Sequence, residues 1–237
     1  ELWMYPPRFY VANPTFRNFA DMFKAMTDSW VPFSRYIFNT VFISVGGTFG
    51  NLVCGSLAAY AVSKIKFPGR AGLQKMVRLA LMFHATVGSV VNFMTMSALH
   101  LIDTYWAIII PACGSTLGMF LMMQFMESSV PDTVLESARL DGASEIRTYW
   151  TIAMPMVKPA WLTLIVYSFQ GLWQTGSSIY IMSEQYKTFN YAISQIVSSG
   201  IARAGVGMAS AVVMMIVPVA VFVITQSNII ETMSTSG

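Results

Sequence analysis

Tyr167, Gln170, Trp173, Gln174 and Ser177 recur at i, i+3, i+6, i+7 and i+10, the spacing that collects side chains on one side of an α-helix. Aromatic rings can pack on the C–H faces of a polyhydroxylated solute while amides and hydroxyls meet its OH groups. This stripe supplies both chemistries, within a run of residues that carries no charge. A buried amide is costly in an apolar surrounding unless it pairs or meets water, so the stripe either lines a cavity or bonds a neighbouring helix. Both readings stay open from the residues alone. Asn92 and Gln124 are lone polar residues in other apolar runs and carry the same ambiguity.

Covalent and metal chemistry have little support. The chain has two histidines, His84 and His100, with no H-E-x-x-H and no G-x-S-x-G. No glycine is followed by lysine, so the phosphate-cradling G-x-x-x-x-G-K-[ST] loop is missing and no catalytic residue is assigned. Cys54 and Cys113 both fall in apolar runs, where a thiol behaves as a small hydrophobe, and no disulfide or metal spacing is present. His84 could relay a proton, but a packing role is the simpler reading. A secondary transporter would carry ionisable coupling residues within its spans, and here only the two histidines qualify.

The elements that must hold these residues are membrane helices. Apolar residues make up 55% of the 237 and charged ones 11%, far from the balance of a soluble domain. Asp, Glu, Lys and Arg are absent from five successive intervals of more than twenty residues each, enough to cross a ~30 Å hydrocarbon layer. These intervals predict spans near 36–62, 80–101, 105–126, 160–182 and 205–228. Lys64, Lys66, Arg70, Lys75 and Arg78 crowd the first connection, and Arg139, Arg147 and Lys158 the third. Positive connections stay in the cytoplasm, which puts residues 1–35 and 183–203 outside and the tail 229–237 inside. A chain starting outside with five spans suggests a sixth helix before Glu1. The net charge of +3 follows from the inner loops and calls for no nucleic-acid partner. Gly46, Gly47, Gly50, Gly114, Gly118, Gly205 and Gly207, with Ala209 and Ala211, offer small-residue seams for helix packing, within the chain or against a partner.

One polar island stands between the spans, E-S-A-R-L-D-G-A-S-E-I-R-T-Y-W-T-I-A-M-P, from Glu136 to Pro155. Ser129-x-x-Asp132 with Pro131 predicts a helix start, Gly142 a left-handed stop, Ser144 a cap for a second helix, and Pro155 its end. The whole hairpin, 129–158, is predicted to face the cytoplasm.

Glu136, Ala138 and Gly142, nine further residues, then Ile152 and Pro155 resemble the EAA loop of ABC-importer permeases. Asp141 beside Gly142, and Met154-Pro155, resemble the carbohydrate-uptake branch, in particular the second permease of maltose-type systems. Pro14-Thr15-x-x-Asn18-Phe19 resembles a segment of the same proteins, so the likeness extends from about Pro14 to the end. It implies an all-α type I ABC-importer permease fold with six helices in the full protein, in the cytoplasmic membrane of a prokaryote. By the same resemblance Glu136, Ala138, Asp141, Gly142, Ile152 and Pro155 form a coupling helix that docks on an ATPase. Tyr167, Gln170, Trp173, Gln174 and Asn92 are then candidates for the solute pathway, Trp173-Gln174 matching a Trp-polar pair common in this span. The implied partners are a second homologous permease, an ABC ATPase dimer that binds ATP and Mg, an extracytoplasmic sugar-binding protein and the lipid bilayer. This chain itself is expected to hold no cofactor or metal.

Overall fold

The computed structural model describes residues 15–27, 31–82, 85–176, 179–198 and 204–234, and these form helices with no strand. The longest central element is α2 (Phe33–Lys64), preceded by α1 (Arg17–Thr27). Pro32 starts α2 from an extended conformation, where its missing N–H is not needed, and Ile65 leaves it in β geometry. After α3 (Arg70–Ala80) and α4 (Ala85–Ala98), α5 (Trp106–Cys113) and α6 (Thr116–Ser129) pack along α2. Then come α7 (Asp132–Leu140), α8 (Glu145–Thr148), a π turn over Tyr149–Ala153, and α9 (Met154–Met156). α10 (Lys158–Trp173) lies against α2, α6 and α12 (Ala204–Ser234), with α11 (Phe189–Ser198) between.

Among the described residues three helices are long and apolar enough to cross a membrane, Phe33–Lys64, Trp106–Ser129 and Gly205–Gln226. A fourth is gained if Glu145–Met156 and Lys158–Trp173, bent by 84°, count as one broken span. Three of the five apolar intervals depart from an uninterrupted helix. The 80–101 interval yields a helix of only 14 residues among the described positions, and His84 lies outside them. The 105–126 interval is broken, because Pro111 sits inside α5 and Ser115 turns extended to cap α6 by accepting from Gly118 N at 3.3 Å. The 160–182 interval stops being helical at Trp173. There Asn190 Nδ2 donates to the Gln174 carbonyl at 2.6 Å, and Thr188 Oγ1 donates to Thr175 O at 2.7 Å. Carbonyls that would continue the helix are thus taken by side chains from further along the chain.

Glycines set how closely the helices approach. A Cβ on Gly47 would lie 2.5 Å from Leu172 Cδ1, one on Gly50 2.4 Å from Cys113 Sγ, and one on Gly118 2.9 Å from Leu164 Cδ1. These small positions are therefore seams within the chain, between α2 and both α10 and α5, and between α6 and α10. Gly205 meets Asn18 in the same way, 2.7 Å from Asn18 Oδ1, which seats α1 on α12. The largest buried cluster joins α2, α6, α7, the π turn and α10 through Tyr60, Met122, Met123, Met126, Leu135, Tyr149 and Leu164.

The opposite end of α2 is pinned by hydrogen bonds. Asn39 Nδ2 donates to the carbonyls of Gln185 and Lys187 at 2.9 and 2.8 Å, and Tyr105 Oη donates to Asn39 Oδ1 at 2.7 Å. Asp103, at φ 65°, accepts from the backbone N–H groups of Met182 and Ser183 and from the Ser183 hydroxyl. Burial raises the Asp103 pKa, but these donors outweigh it and hold the carboxyl below its ordinary value.

Candidate functional site: a docking hairpin and a polar cleft

The polar island folds as two helices meeting at a tight turn. Ala143 N donates to Ala138 O and Gly142 N to Arg139 O, both at 3.0 Å, with Gly142 at φ 80°. This is a Schellman stop, and it assigns positions to two motif residues: Ala138 supplies the third-last carbonyl and Gly142 the left-handed residue. Ser144 caps the second helix, accepting from Arg147 N at 3.4 Å. The start of α7 differs from the sequence expectation. Ser129 ends α6 and makes no cap. Instead Lys64 Nζ reaches both Val130 O at 2.7 Å and Asp132 Oδ1 at 2.8 Å. Pro155 does not end the second helix either. The chain relaxes into the π turn just before it, so the i−4 bond that proline cannot make is not demanded, and the helix stops at Val157. Trp161 Nε1 then donates to Met154 O across the bend at 3.2 Å.

Residues outside the motif hold the hairpin to the helix bundle. Arg139 donates to Glu145 from Nε at 2.7 Å and from Nη2 at 3.3 Å, closing the turn. Tyr60 Oη on α2 donates to Glu145 Oε2 at 2.9 Å, and Ser56 and Tyr149 share a hydroxyl–hydroxyl bond at 2.6 Å. Hydrogen bonds from Arg139 hold the Glu145 carboxyl below its ordinary pKa against a burial effect of opposite sign, and Arg139 is correspondingly raised. Lys64 likewise lowers Asp132. Tyr60 and Ser56 belong to no sequence motif, and Lys64 reads in the sequence only as a charge of the positive connection; their role appears only where α2 packs on the hairpin.

The other face of the hairpin is open. Glu136 and Asp141 are exposed, and Glu136 makes no ion pair among the described residues. Leu140 is 89% exposed and Ile146 71%, flanked by a half-exposed Trp150. Two apolar side chains thus stand out on an otherwise polar hairpin. Ile152 is half-buried and packs on the main cluster, while Pro155 is exposed.

The second region is a cleft of about 410 Å³ walled by Asn51, Ala112, Ser115 and the α10 face Tyr167, Ser168, Gln170, Gly171, Leu172 and Gln174. It gathers three of the expected pathway residues, Tyr167, Gln170 and Gln174. Trp173 departs from that face. It is buried, stacks on Phe169 at 5.5 Å and donates from Nε1 to Met214 O at 2.9 Å, bridging α10 to α12. At about 100° per residue, i+6 points roughly 120° away from i, whereas i+3 and i+7 lie within about 60° of it. Asn92 is half-buried on α4 and does not wall the cleft, and Ser177 lies outside the described residues. Asn51 and Ser168, which the sequence reading did not single out, meet at 2.5 Å between α2 and α10. Among the described residues no group of three or more His, Cys, Asp or Glu could hold a metal ion.

Comparison with known proteins places this arrangement in a family. The chain is 26% identical over 231 residues to the galactooligosaccharides transport system permease protein GanQ of Bacillus subtilis, covering 95% of this chain and 80% of that one. Protein LplC of Bacillus subtilis is 31% identical over 149 residues, 59% of this chain. The sn-glycerol-3-phosphate transport system permease protein UgpE of Yersinia enterocolitica is 31% identical over 142 residues, 60% of this chain. Those two matches each span 50% of the relative's length. A chain from the crystal structure of a bacterial ABC transporter involved in the import of the acidic polysaccharide alginate superposes with a TM-score of 0.74. It is 24% identical and matches 89% of this chain and 79% of its own. The all-α polytopic permease fold is therefore the one adopted here. Residues 51–234 match the model of one family, and this chain belongs to it: the inner membrane components of binding-protein-dependent transport systems.

Proposed function

We propose that this chain is one of two permease subunits of an ATP-driven carbohydrate importer and forms half of its translocation pathway. The hairpin 129–158 faces the cytoplasm and docks on an ATPase dimer that binds ATP and Mg; a second homologous permease and an extracytoplasmic sugar-binding protein complete the system. The observation that carries this reading is the two-sided hairpin. One side is bonded to α2 through Tyr60–Glu145 and Lys64–Asp132, and the other presents Leu140 and Ile146 almost fully bare. A displacement of the docked tip is passed to a helix that spans the membrane, which is how closure of an ATPase dimer can turn a cavity outward. Nucleotide hydrolysis stays with the partner, since this chain has no phosphate-binding loop.

A neutral polyol fits the cleft better than an anion does. Its polar walls are Asn51, Ser115, Tyr167, Ser168, Gln170 and Gln174, with no Lys or Arg among them. The relatives named for sn-glycerol-3-phosphate keep a polyol phosphate as the second reading. Expression with neighbouring genes and purification of the complex decides between them. A neutral saccharide with its binding protein should stimulate ATP hydrolysis. Stimulation by a phosphorylated polyol alone would favour the second reading, and a chain that purifies with no ATPase would sink both.

A further inference from the structure

Three polar atoms on one face of α2 have no hydrogen-bond partner among the described residues: Ser44 Oγ, Thr48 Oγ1 and Asn51 Oδ1. Their residues are 0%, 7% and 3% exposed. The spacing i, i+4, i+7 keeps them within about 60° of one another, in a stripe about 10 Å long. Other hydroxyls of the same helix are satisfied by bonding back to a carbonyl one turn earlier. Thr40 does so at 2.8 Å, Ser56 at 2.5 Å and Ser63 at 2.6 Å. Ser44 and Thr48 do not. A buried hydroxyl or amide oxygen left unpaired gives up its hydrogen bonds to water with nothing in return, and packing does not account for two hydroxyls and an amide oxygen in one row.

The stripe continues the cleft. Asn51 is both its last member and a cleft wall, bonded through Nδ2 to Ser168. Leu172, another wall, lies where a Cβ of Gly47 would sit, so α10 rests on α2 through a flexible side chain filling a glycine notch. We propose that Ser44, Thr48 and Asn51 form a polar track on α2 that is covered by α10 in this state. It is uncovered when the two helices part, and it then hydrogen-bonds the hydroxyls of a passing neutral polyol. The track rests on the importer reading and extends the solute path from α10 onto α2. Parting frees Leu172 from its notch and exposes a row of acceptors and donors to water and to solute hydroxyls.

The test uses the assembled complex with Cys54→Ala and Cys113→Ala, adding Ser44→Cys, Thr48→Cys or, as control, Ile43→Cys. Ile43 is fully buried next to the track and packs on Ile108 and Ile181. Labelling by a charged, water-borne methanethiosulfonate is followed without nucleotide and after trapping with ATP and vanadate. Positions 44 and 48 should change labelling rate between the states by on the order of tenfold or more, as expected for a shift between minor and major populations, with position 43 inert in both. Thr48→Val should leave the unfolding temperature of the complex unchanged or raised while lowering ATP hydrolysis stimulated by the loaded binding protein. Failure of 44 and 48 to label in either state overturns the track, as does a Thr48→Val complex that is less stable, because the hydroxyl then has a structural partner. Binding-protein-stimulated hydrolysis by the unmodified complex is the separate check on the importer reading. If that is absent, the reading fails and the track falls with it; if it is present, a negative labelling result counts against the track alone.

Discussion

Tyr60 Oη on α2 and Glu145 Oε2 on α8 are 2.9 Å apart across 85 residues of chain, and Arg139 donates to the same carboxylate from the other helix of the hairpin. One carboxylate thus ties both arms of the turn to the membrane helix. Tyr60 also meets Tyr149 edge-on at 5.5 Å, so the joint is aromatic as well as ionic. Tyr60→Phe keeps the ring contact and removes only the hydrogen bond. A hydrogen bond to a charged group contributes roughly 1.5–3 kcal/mol when buried, less here because Glu145 is half-exposed. Basal ATP hydrolysis should persist while stimulation by the loaded binding protein drops; unchanged stimulation would show that motion passes elsewhere.

Gly142 separates backbone strain from crowding, since nothing lies within 4 Å of a Cβ built there. Gly142→Asn should therefore retain most coupling, and Gly142→Ala should cost about 1–2 kcal/mol of turn stability. Gly142→Val, with its β-branch in a left-handed position, should abolish transport in complexes that still insert in the membrane. Equal activity of the Val and Asn variants would remove the turn from the mechanism.

Acid should loosen the hairpin. Glu145 and Asp132 both have pKa values lowered in the fold by Arg139 and Lys64, respectively. Their contribution is complete above the ordinary carboxylate range and is lost as pH falls through the depressed folded values, that is, below about pH 4. The protection factors of amides 132–148 in the detergent-solubilised complex, taken against the intrinsic exchange rate at each pH, should fall below that pH at sites that stay protected at pH 7. Glu145→Gln should flatten part of the response and Asp132→Asn another part. An acid response identical in both variants would place its origin elsewhere.

Trp173 and the cleft face should part company under mutation. Trp173→Ala removes a buried ring and its bond to Met214 O, and the usual loss of roughly 3–5 kcal/mol in soluble cores should appear as a lower yield of assembled complex. Gln170→Ala and Gln174→Ala should spare yield and reduce uptake per complex. Normal yield with impaired uptake in Trp173→Ala would return the indole to the solute path.

Sidedness can be read from intact cells. A thiol reagent that does not cross the membrane should reach Gln185→Cys and not Asp141→Cys, both side chains being exposed. Labelling of position 141 alone would invert the topology.

Local chemistry made the hairpin legible in the sequence. Gly142 and Ser144 act through bonds to residues at most five positions away, so their spacing alone specifies the Schellman stop and the second cap. Runs without charge fixed where apolar helices form for the same reason, since each residue's aversion to water is its own property. The break at Pro111 is local to its run, but the end of the 160–182 run came from elsewhere. α10 ends at Trp173 because Thr188 and Asn190 return to take its last carbonyls, 13 and 16 residues later. Helical spacing grouped Trp173 with Tyr167 and Gln170, but only the position of α12 decided that the indole turns to Met214 while Gln170 and Gln174 face the cleft. Glu136 and Glu145 read alike along the chain. The fold leaves the first bare and gives the second Arg139 and Tyr60, because a partner 85 residues away becomes a neighbour only when α2 and the hairpin pack together.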